Sequence, residues 1–557
     1  MENYHGITMK NITGIIIAFP PRVLSSTEGL GRHLLYLIEG LIENNNEVLI
    51  ICPKWCRSDL ENLMENERIS NNGSHFRIVS TGNIPLLLKI KLLFFDKKSV
   101  TKFNYYIIYL WRLFKNIKGI FKNIKEKSIK NFYKMAGTSS ITIFIIILIL
   151  LILLLPIIGI SIIIYLLFKK FQNRQKIKFP SIFQKYLHFI DKPINEYREN
   201  LFALNLNDAM LHEEFKKIAK LAKNQDNIKT WLIPTAFWPD LVKEISNCVI
   251  VCPDLIFSDF PVGFEEYGHE RIIKIKKEII ESLNCASHVI TYSEYVKNNQ
   301  LSSRFFIPKE KISVIPHGPM CINKSLNMLI PFESMNLIQK RDLCQQIIHN
   351  YLFQNTSSYY LQNFDFSGVR FLIYTSQIRP SKNIPMLLKA FNLLKNEKKE
   401  PIKLILTANV FNIPSTSKII TEFVLSKDVI CLPNLPTPVM AAFYHLATLA
   451  VNPTFFEGGF PFTFSEAYSV GTPSIMSRIP VVEEIVTDLE LKNIMLFDPY
   501  NIDAMVERIY WGLHNRDELY KRERPLFEKI KSRSWARVAQ EYNDILHRVG
   551  TEQSEVK

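Results

Sequence analysis

The sequence has no CxxC pair and no regular cysteine framework. Its eight cysteines are scattered over 557 residues. The two closest pairs, Cys52/Cys56 and Cys248/Cys252, lie in or beside apolar runs that are typical of buried strands. We therefore expect buried, reduced thiols, which argue against a disulfide-stabilised secreted protein and indicate a reducing, cytosol-facing compartment.

Three other signals are absent. Residues 1–13 are polar and lack the apolar stretch of a secretory signal peptide, so we expect no leader of that kind. The net charge of +15 is not accompanied by a nucleic-acid-binding motif, so we expect no nucleic acid as a partner. No Asp-x-Asp motif or cluster of metal ligands stands out, so we expect no metal site.

The length of the chain favours two or more domains.

The stretch NPTFFEGGFPFTFSEAYSVGTPSIMS, Asn452 to Ser477, carries the clearest chemical signal. The apolar run Leu449–Asn452 predicts the end of a buried strand, and residues 457–459 are predicted to form a loop. Pro461 predicts the first turn of a helix that carries Glu466. A strand, glycine loop and helix N-terminus in this order present backbone N–H groups to an anion. The carboxylates suit hydroxyl-rich groups on either side of a diphosphate, as in a sugar nucleotide. An ordinary glycine-rich connection fits the spacing equally well.

Apolar runs and helical periodicities alternate in two parts of the chain. A strand at 14–19, a glycine loop at 27–32, a helix and a strand at 47–52 form a βαβ unit. Alternation continues after residue 228 and, beyond a polar connector, from 370 to about 525. We therefore predict an α/β protein with two doubly wound domains that face a cleft, with ligands outside the carboxyl ends of the strands.

A long hydrophobic segment interrupts the first of these parts. Residues 141–168 contain no charged side chain, and their 28 residues are flanked on both sides by lysines and arginines. As a helix they would extend roughly 42 Å, which exceeds the ~30 Å core of a bilayer. We therefore expect the segment to be embedded in a membrane rather than to form a buried helix of a soluble domain.

Two membrane arrangements remain open, and a re-entrant hairpin is favoured over a single span. A single crossing would separate the first βαβ unit from the rest of its sheet. Basic residues on both sides place both flanks on the cytoplasmic face, against anionic headgroups. Pro156, near the middle, can break the helix into halves too short to cross. The predicted localisation is the cytoplasmic face of a membrane.

Further motifs narrow the class of protein. They are Trp231–Pro239, Ile290–Glu294, the segment VIPHG at 314–318 and the segment YTSQIRPSK at 374–382. Together with the glycine loop, these segments resemble the retaining glycosyltransferases of family 4, which have the GT-B fold of two Rossmann-like domains. The resemblance covers most of residues 12–85 and 228–545 but not the membrane insert.

The resemblance implies a division of the chain. Residues 1–330 would form the acceptor-side Rossmann-like domain, with a basic and hydrophobic insert at 86–200. Residues 331–368 would form a connector and residues 369–525 the nucleotide-sugar-binding domain. Residues 526–557 would form a C-terminal helix and tail.

The resemblance also implies a set of donor-binding residues. Glu466 would hold the ribose hydroxyls, and Glu457 would face the transferred hexose. Lys382 would neutralise the diphosphate, which gains negative charge as it leaves, so that a fixed cation lowers the barrier. The backbone along the sugar and the glycine loop of the first domain would supply the remaining contacts: Gly458, Gly459, Phe460, Gly29 and Gly31.

The sequence departs from the family pattern at three places. Eight residues separate Glu457 from Glu466, where the family has seven. Pro253 replaces the histidine of a His-Asp pair near the acceptor, which leaves Asp254 and makes His317 an alternative polar group.

The third departure concerns the phosphate-binding arginine. Gln377 stands at its usual position, and Arg379 follows two residues later. In an extended strand these two side chains share a face, so we expect Arg379 to substitute. The predicted catalytic set is Glu457, Arg379, Lys382 and Asp254.

The predicted activity is the transfer of a hexose, with retention, from a nucleotide-sugar co-substrate to a hydroxyl acceptor. The EGGFPF variant and the motif at 378–383 look more like mannosyltransferases, so GDP-mannose is the first predicted donor and a UDP-sugar the second. No bound cofactor or metal is expected. The hairpin suggests a lipid-linked or polysaccharide glycan as acceptor, and base selection is expected around Asn409 and Pro433–Leu435.

Two other functions compete with this one. The departures motivate a scaffold that has lost catalysis and organises polysaccharide assembly at the membrane; such a protein would not cleave a sugar nucleotide. A nucleotide-sugar epimerase of the same fold is the third possibility, although an epimerase has no need of a membrane hairpin.

Overall fold

The computed structural model describes residues 12–20, 29–66, 76–85, 88, 201–245, 247–260, 269–327 and 331–555. The predicted membrane segment 141–168 and, apart from Leu88, the insert 86–200 lie outside these residues. No helix within them is both long enough and apolar enough to cross a bilayer.

The chain divides into two compact units. The first comprises Met1–Ile50, Asp59–Ile78 and Gln225–Lys557, and the second comprises Ile51–Ser58 and Val79–Asn224. The first unit contains two sheets, apart from the last two residues of the second and third strands. The second unit contains the helix Leu201–Lys223.

Seven of the described strands form the first sheet, in the order β3-β2-β1-β4-β5-β6-β7. The neighbours from β1 through β7 pair in parallel. Short, continuous runs of apolar and β-branched residues form these strands, because a parallel sheet is covered on both faces. Their bounds are β1 (Ile12–Ile16), β2 (Glu47–Cys52), β3 (Phe76–Ser80), β4 (Trp231–Ile233), β5 (Cys248–Val251), β6 (His288–Thr291) and β7 (Ile312–Val314).

The second sheet has six described strands in the order β10-β9-β8-β11-β12-β13, and all of its pairs are parallel. Both sheets therefore have the doubly wound topology that the sequence predicts. The bounds are β8 (Phe371–Tyr374), β9 (Lys403–Leu406), β10 (Val429–Cys431), β11 (Leu449–Asn452), β12 (Ser474–Ser477) and β13 (Leu496–Phe497).

Helices connect the strands throughout the described residues. In chain order they are α1 (Gly29–Glu43), α2 (Lys54–Asn66), α3 (Leu201–Lys223), α4 (Pro239–Glu244), α5 (Ile256–Asp259), α6 (His269–Cys285), α7 (Leu337–Asn355), α8 (Tyr359–Gln362), α9 (Ile384–Asn396), α10 (Pro414–Glu422), α11 (Thr437–Leu446), α12 (Phe462–Ser469), α13 (Pro480–Glu483), α14 (Leu489–Met495), α15 (Ile502–His514), α16 (Arg516–Lys531) and α17 (Trp535–Glu555).

The segment expected to be a polar connector, 331–368, is largely helical. Asn336 begins α7 with a capping box: its side chain accepts a hydrogen bond from the backbone N–H of Gln339, and the Gln339 side chain accepts one from the backbone N–H of Asn336. Cys344, Ile348 and Leu352 recur at intervals of four and are buried. A narrow apolar stripe on a polar helix explains why the segment resembles a connector.

The C-terminal helix α17 packs against α1. The indole of Trp535 stacks on Tyr36, with ring centroids 5.4 Å apart. Thr13, in β1, donates a hydrogen bond of 2.7 Å to Asn543. The end of the chain therefore returns from the second sheet to support the first helix of the first.

None of the eight cysteines, all of which lie within the described residues, forms a disulfide. Cys52, Cys56, Cys248, Cys252 and Cys344 are buried, as expected. Cys285 is exposed because it lies at the end of α6, and Cys321 and Cys431 are half-buried. The expectation of burial is therefore wrong for Cys285.

Candidate functional site

The strand order of the second sheet reverses between β8 and β11. These two strands are neighbours, with Leu449 beside Leu372. Loops that leave the carboxyl ends of adjacent strands at such a point diverge and form a crevice, which is where open α/β sheets bind ligands. The predicted motifs at 375–382 and 453–460 are these two loops.

Lys382 and Glu457 form an ion pair between the two loops. The ammonium group of Lys382 donates to Oε1 of Glu457, and each side chain is about a fifth exposed. The loops are also joined through the backbone oxygen of Ser381, which accepts from the N–H of Phe455 at 2.7 Å and from the hydroxyl of Thr454 at 3.0 Å. The two predicted residues are thus held in contact on a fixed support.

Asp254 follows β5 of the first sheet by three residues and lies near the charged groups of Lys382 and Glu457. Burial raises the pKa of its carboxyl group. The backbone N–H of Ile256, which donates to Asp254 at 3.1 Å, lowers this pKa; the charge of Glu457 raises it, and those of Arg379 and Lys382 lower it. The structure therefore brings all four predicted catalytic residues together.

The expected reason for the place of Arg379 is wrong. Strand β8 ends at Tyr374, so Gln377 and Arg379 do not lie on one face of a strand. Arg379 has an extended backbone and precedes the short 3₁₀ turn Pro380–Lys382. Arg379 is exposed, but its charge still lowers the pKa of Asp254.

Because Gly458 and Gly459 have no side chains, they leave room for residues that follow strands of the first sheet. A Cβ on Gly458 would lie 2.3 Å from the carbonyl oxygen of Pro253, and one on Gly459 would lie 2.9 Å from Cβ of Tyr292. The backbone oxygen of Gly458 also accepts a hydrogen bond of 2.9 Å from Ser293. Glycine is therefore required here by close approach, in addition to any contact with a ligand.

Glu466 lies on α12 and is 2% exposed. Its Oε1 accepts a hydrogen bond from Nη1 of Arg32, and its Oε2 accepts one of 3.4 Å from the hydroxyl of Tyr444. The Tyr444 oxygen lies 2.5 Å from Oγ1 of Thr375, directly after β8. Sequence reasoning missed Arg32 and Tyr444, because neither is near Glu466 in the chain.

The structure differs from the glycine loop that was predicted in the first domain. Gly29 and Gly31 lie in the first turn of α1 rather than in a loop, and Gly29 is exposed while Gly31 is buried. The preceding residues 21–28 lie outside those described. The first turn of α1 carries Arg32, so this part of the motif does reach the candidate site.

Two histidines lie close to the double glycine, Gly458 and Gly459. The ring of His317 contacts Phe462, with centroids 3.9 Å apart, and burial lowers the pKa of His317 to about 4. Burial also lowers the pKa of His33 to about 3, with a smaller effect from His317. Both rings are therefore neutral near pH 7, which suits a hydrogen-bonding or packing role better than a cationic one.

Asn409, predicted to help select the base, follows β9. Its side-chain oxygen is buried, and among the described residues it has no hydrogen-bond partner. The oxygen is thus an available acceptor. Leu435, in the other predicted segment, is buried. Among the residues that the structure describes, no group of three or more His, Cys, Asp or Glu could hold a metal ion.

Comparison with known proteins agrees with this geometry. Residues 362–525 match the family described as Glycosyl transferases group 1. This part of the chain is a group 1 glycosyltransferase domain. It contains the whole second sheet, with Lys382, Glu457 and Glu466 at its carboxyl edge.

One curated relative is the O-antigen chain mannosyltransferase B of Escherichia coli, which is 23% identical over 252 residues. The match covers 45% of this chain and 58% of the relative, so the chain spans little more than half of that protein. The group 1 domain and this relative support the predicted transferase.

Two solved structures resemble the whole chain. One is a glycosyltransferase from Rickettsia africae ESF-5, with a TM-score of 0.51, 11% identity, and coverage of 97% of this chain and 99% of that chain. The other is the N-terminal domain of a Candida albicans trehalose-6-phosphate phosphatase, with a TM-score of 0.54, 10% identity and 97% coverage of both. At such identities they show the fold alone, and the predicted GT-B-like α/β fold with two parallel sheets is confirmed.

Proposed function

We propose that this protein is a retaining glycosyltransferase of family 4 that transfers a hexose from a sugar nucleotide to a hydroxyl acceptor. The observation that carries the proposal is the ion pair of Glu457 with Lys382 beyond the ends of β8 and β11, beside the loop after β5 that carries Asp254. GDP-mannose is the first donor proposed and a UDP-sugar the second. The mannosyltransferase relative supports mannose.

The charged residues divide into two roles. Lys382 and Arg379 neutralise the diphosphate as it leaves, which lowers the barrier because the charge develops in the transition state. Glu457 faces the hexose, and its ion pair with Lys382 couples sugar placement to diphosphate placement. Asp254 lies on the side of the first sheet and positions the acceptor hydroxyl.

Glu466 and Asn409 bind the nucleoside part of the donor. The carboxylate of Glu466 accepts hydrogen bonds from the ribose hydroxyls, and the buried oxygen of Asn409 accepts one from the base. Backbone N–H groups of the loop 458–460 and the start of α12 face the phosphates.

A direct test is donor cleavage by the purified full chain. GDP-mannose, UDP-glucose and UDP-N-acetylglucosamine are supplied in turn, and release of the nucleoside diphosphate is measured. We expect release from one donor, and Lys382→Met lowers its rate by about 10²-fold because one charge-stabilising group is lost. Lys418→Met, at an exposed position on α10, is the matched control. A wild-type protein that releases no diphosphate contradicts the transferase and favours the scaffold.

The membrane part of the proposal rests on the sequence. The charge-free segment 141–168 and its basic flanks support a re-entrant hairpin at the cytoplasmic face, with a lipid-linked or polysaccharide glycan as acceptor. Epitope tags inserted after Val100 and after Lys185 in membrane vesicles test it. A hairpin predicts that both tags are reached by antibody from the same side, whereas a single span places them on opposite sides.

A further inference from the structure

The carboxylate of Glu466 is held between two halves of the molecule. Glu466 lies on α12 of the second sheet, and Arg32 lies in the first turn of α1, beside the first sheet. Their ion pair joins positions 434 residues apart, and the two side chains are 3% and 13% exposed respectively. Arg32 is therefore placed where it acts directly on the residue proposed to bind ribose.

The buried carboxylate of Glu466 needs a partner for its charge. Burying a charged group costs free energy unless the group is paired and hydrogen-bonded. Arginine suits this task because its guanidinium stays charged and donates in a fixed, planar geometry. The ion pair with Arg32 supplies the positive charge at Glu466 in this structure.

The second oxygen of Glu466 has its own fixed donor. Tyr444, on α11, donates to Oε2 at 3.4 Å. Burial raises the pKa of Tyr444, and the charge of Glu466 raises it further, so the phenol keeps its proton and remains a donor. Each carboxylate oxygen accepts two hydrogen bonds, so one acceptor position remains on each oxygen after Arg32 and Tyr444 are satisfied. Two positions match the two vicinal hydroxyls of a ribose.

We infer that Arg32 is a positioning residue, which balances the charge of buried Glu466 and holds its carboxylate so that the two remaining acceptor positions receive the ribose hydroxyls of the donor. This inference rests on the proposed function and adds a residue from the first helix of the chain to it. Because the contact joins α1 to α12, correct placement of Glu466 also requires that the two sheets keep their present contact.

The test compares donor affinity in two variants of Arg32. Binding of the donor that wild type cleaves is measured by calorimetry for wild type, Arg32→Lys and Arg32→Gln. We expect Arg32→Gln to bind at least about tenfold more weakly, because Glu466 loses the charged donor that holds it. Arg32→Lys restores most of the affinity, because a cation remains beside Glu466.

Two further variants separate positioning from simple folding. Arg537→Gln removes an exposed arginine of α17 and should bind as wild type does. Tyr444→Phe keeps the cation and removes one donor, so it should bind the donor more weakly than wild type and more tightly than Arg32→Gln. This second variant remains informative if Arg32→Gln does not fold.

Three outcomes overturn the inference. They are wild-type affinity in Arg32→Gln, an equal loss in Arg32→Lys and Arg32→Gln, and wild-type affinity in Tyr444→Phe. A wild type that binds no sugar nucleotide is a different result: it overturns the proposed function, and the role of Arg32 falls with it.

Discussion

At the scale of single residues, the candidate site depends on contacts between parts of the chain that are far apart in sequence. Glu457 pairs with Lys382, Glu466 with Arg32, and Gly458 packs under Pro253. The glutamates and the lysine were predicted from their motifs because each lies in a short characteristic pattern. Arg32 was not, since no local pattern indicates which carboxylate an arginine will meet.

The close approach at Gly458 leads to a prediction. Gly458→Ala places a methyl group 2.3 Å from the carbonyl oxygen of Pro253, so the loop and Asp254 must move apart. We expect a loss of roughly 1–3 kcal/mol in the free energy of unfolding, with weaker donor binding. Denaturant unfolding measures the first effect.

The control for this prediction is Gly82→Ala. A Cβ at Gly82 would meet no atom within 4 Å, so the substitution should leave the free energy of unfolding nearly unchanged. Equal stability of Gly458→Ala and Gly82→Ala would show that the packing against Pro253 is unimportant.

At the scale of elements, strands could be predicted closely from the sequence and several other features could not. The strands expected at 47–52 and Leu449–Asn452 are β2 and β11 with identical bounds, because a buried parallel strand is a short, continuous apolar run. The strand expected at 14–19 is β1 and ends three residues earlier, since apolar residues also continue into the loop that follows. The helix α7 was missed because most of its surface is polar.

The capping box of α7 gives a prediction for this element. Asn336→Ala leaves the N–H of Gln339 without its side-chain acceptor, so we expect a loss of about 1 kcal/mol in the free energy of unfolding. Asn412→Ala, at an exposed position, is the matched control. If both variants unfold at the same denaturant concentration as wild type, the cap does not stabilise the helix.

At the scale of the whole molecule, buried histidines link stability to pH. His33 is 6% exposed and packs against Tyr292 and Trp535. Its pKa is lowered from 6.5 to about 3, mainly by burial. Between these values the unfolded chain binds a proton that the folded chain does not bind. The free energy of unfolding therefore falls as the pH falls through this range, by at most about 1.4 kcal/mol per pH unit for one histidine.

This dependence is measured by denaturant unfolding at pH 7.5 and pH 5. Wild type should lose stability at pH 5, and His33→Gln should lose less between the two pH values, whatever its stability at pH 7.5. His547→Gln, which changes an exposed histidine of α17, should keep the wild-type dependence. An unchanged dependence in His33→Gln would mean that other groups control acid sensitivity.

The fold of the molecule is confirmed, whereas the chemistry of its candidate site is a proposal. Two doubly wound sheets could be predicted because apolar runs and helical periodicities alternate along the chain. How the first helix contacts the second sheet could not, because that geometry depends on packing between α1 and α17 and on contacts that no short motif contains. The predicted domain boundaries and the membrane hairpin stay predictions.

The central claim is that the carboxyl edge of the second sheet binds a sugar nucleotide through Glu466. The most direct measurement is calorimetric titration of the detergent-solubilised full chain with GDP-mannose, UDP-glucose and UDP-N-acetylglucosamine, for wild type, Glu466→Gln and the exposed control Glu490→Gln. We predict micromolar binding of one donor by wild type and by Glu490→Gln, and a loss of at least about tenfold in Glu466→Gln. Equal affinity in all three proteins, or no binding of any donor by wild type, would contradict the account.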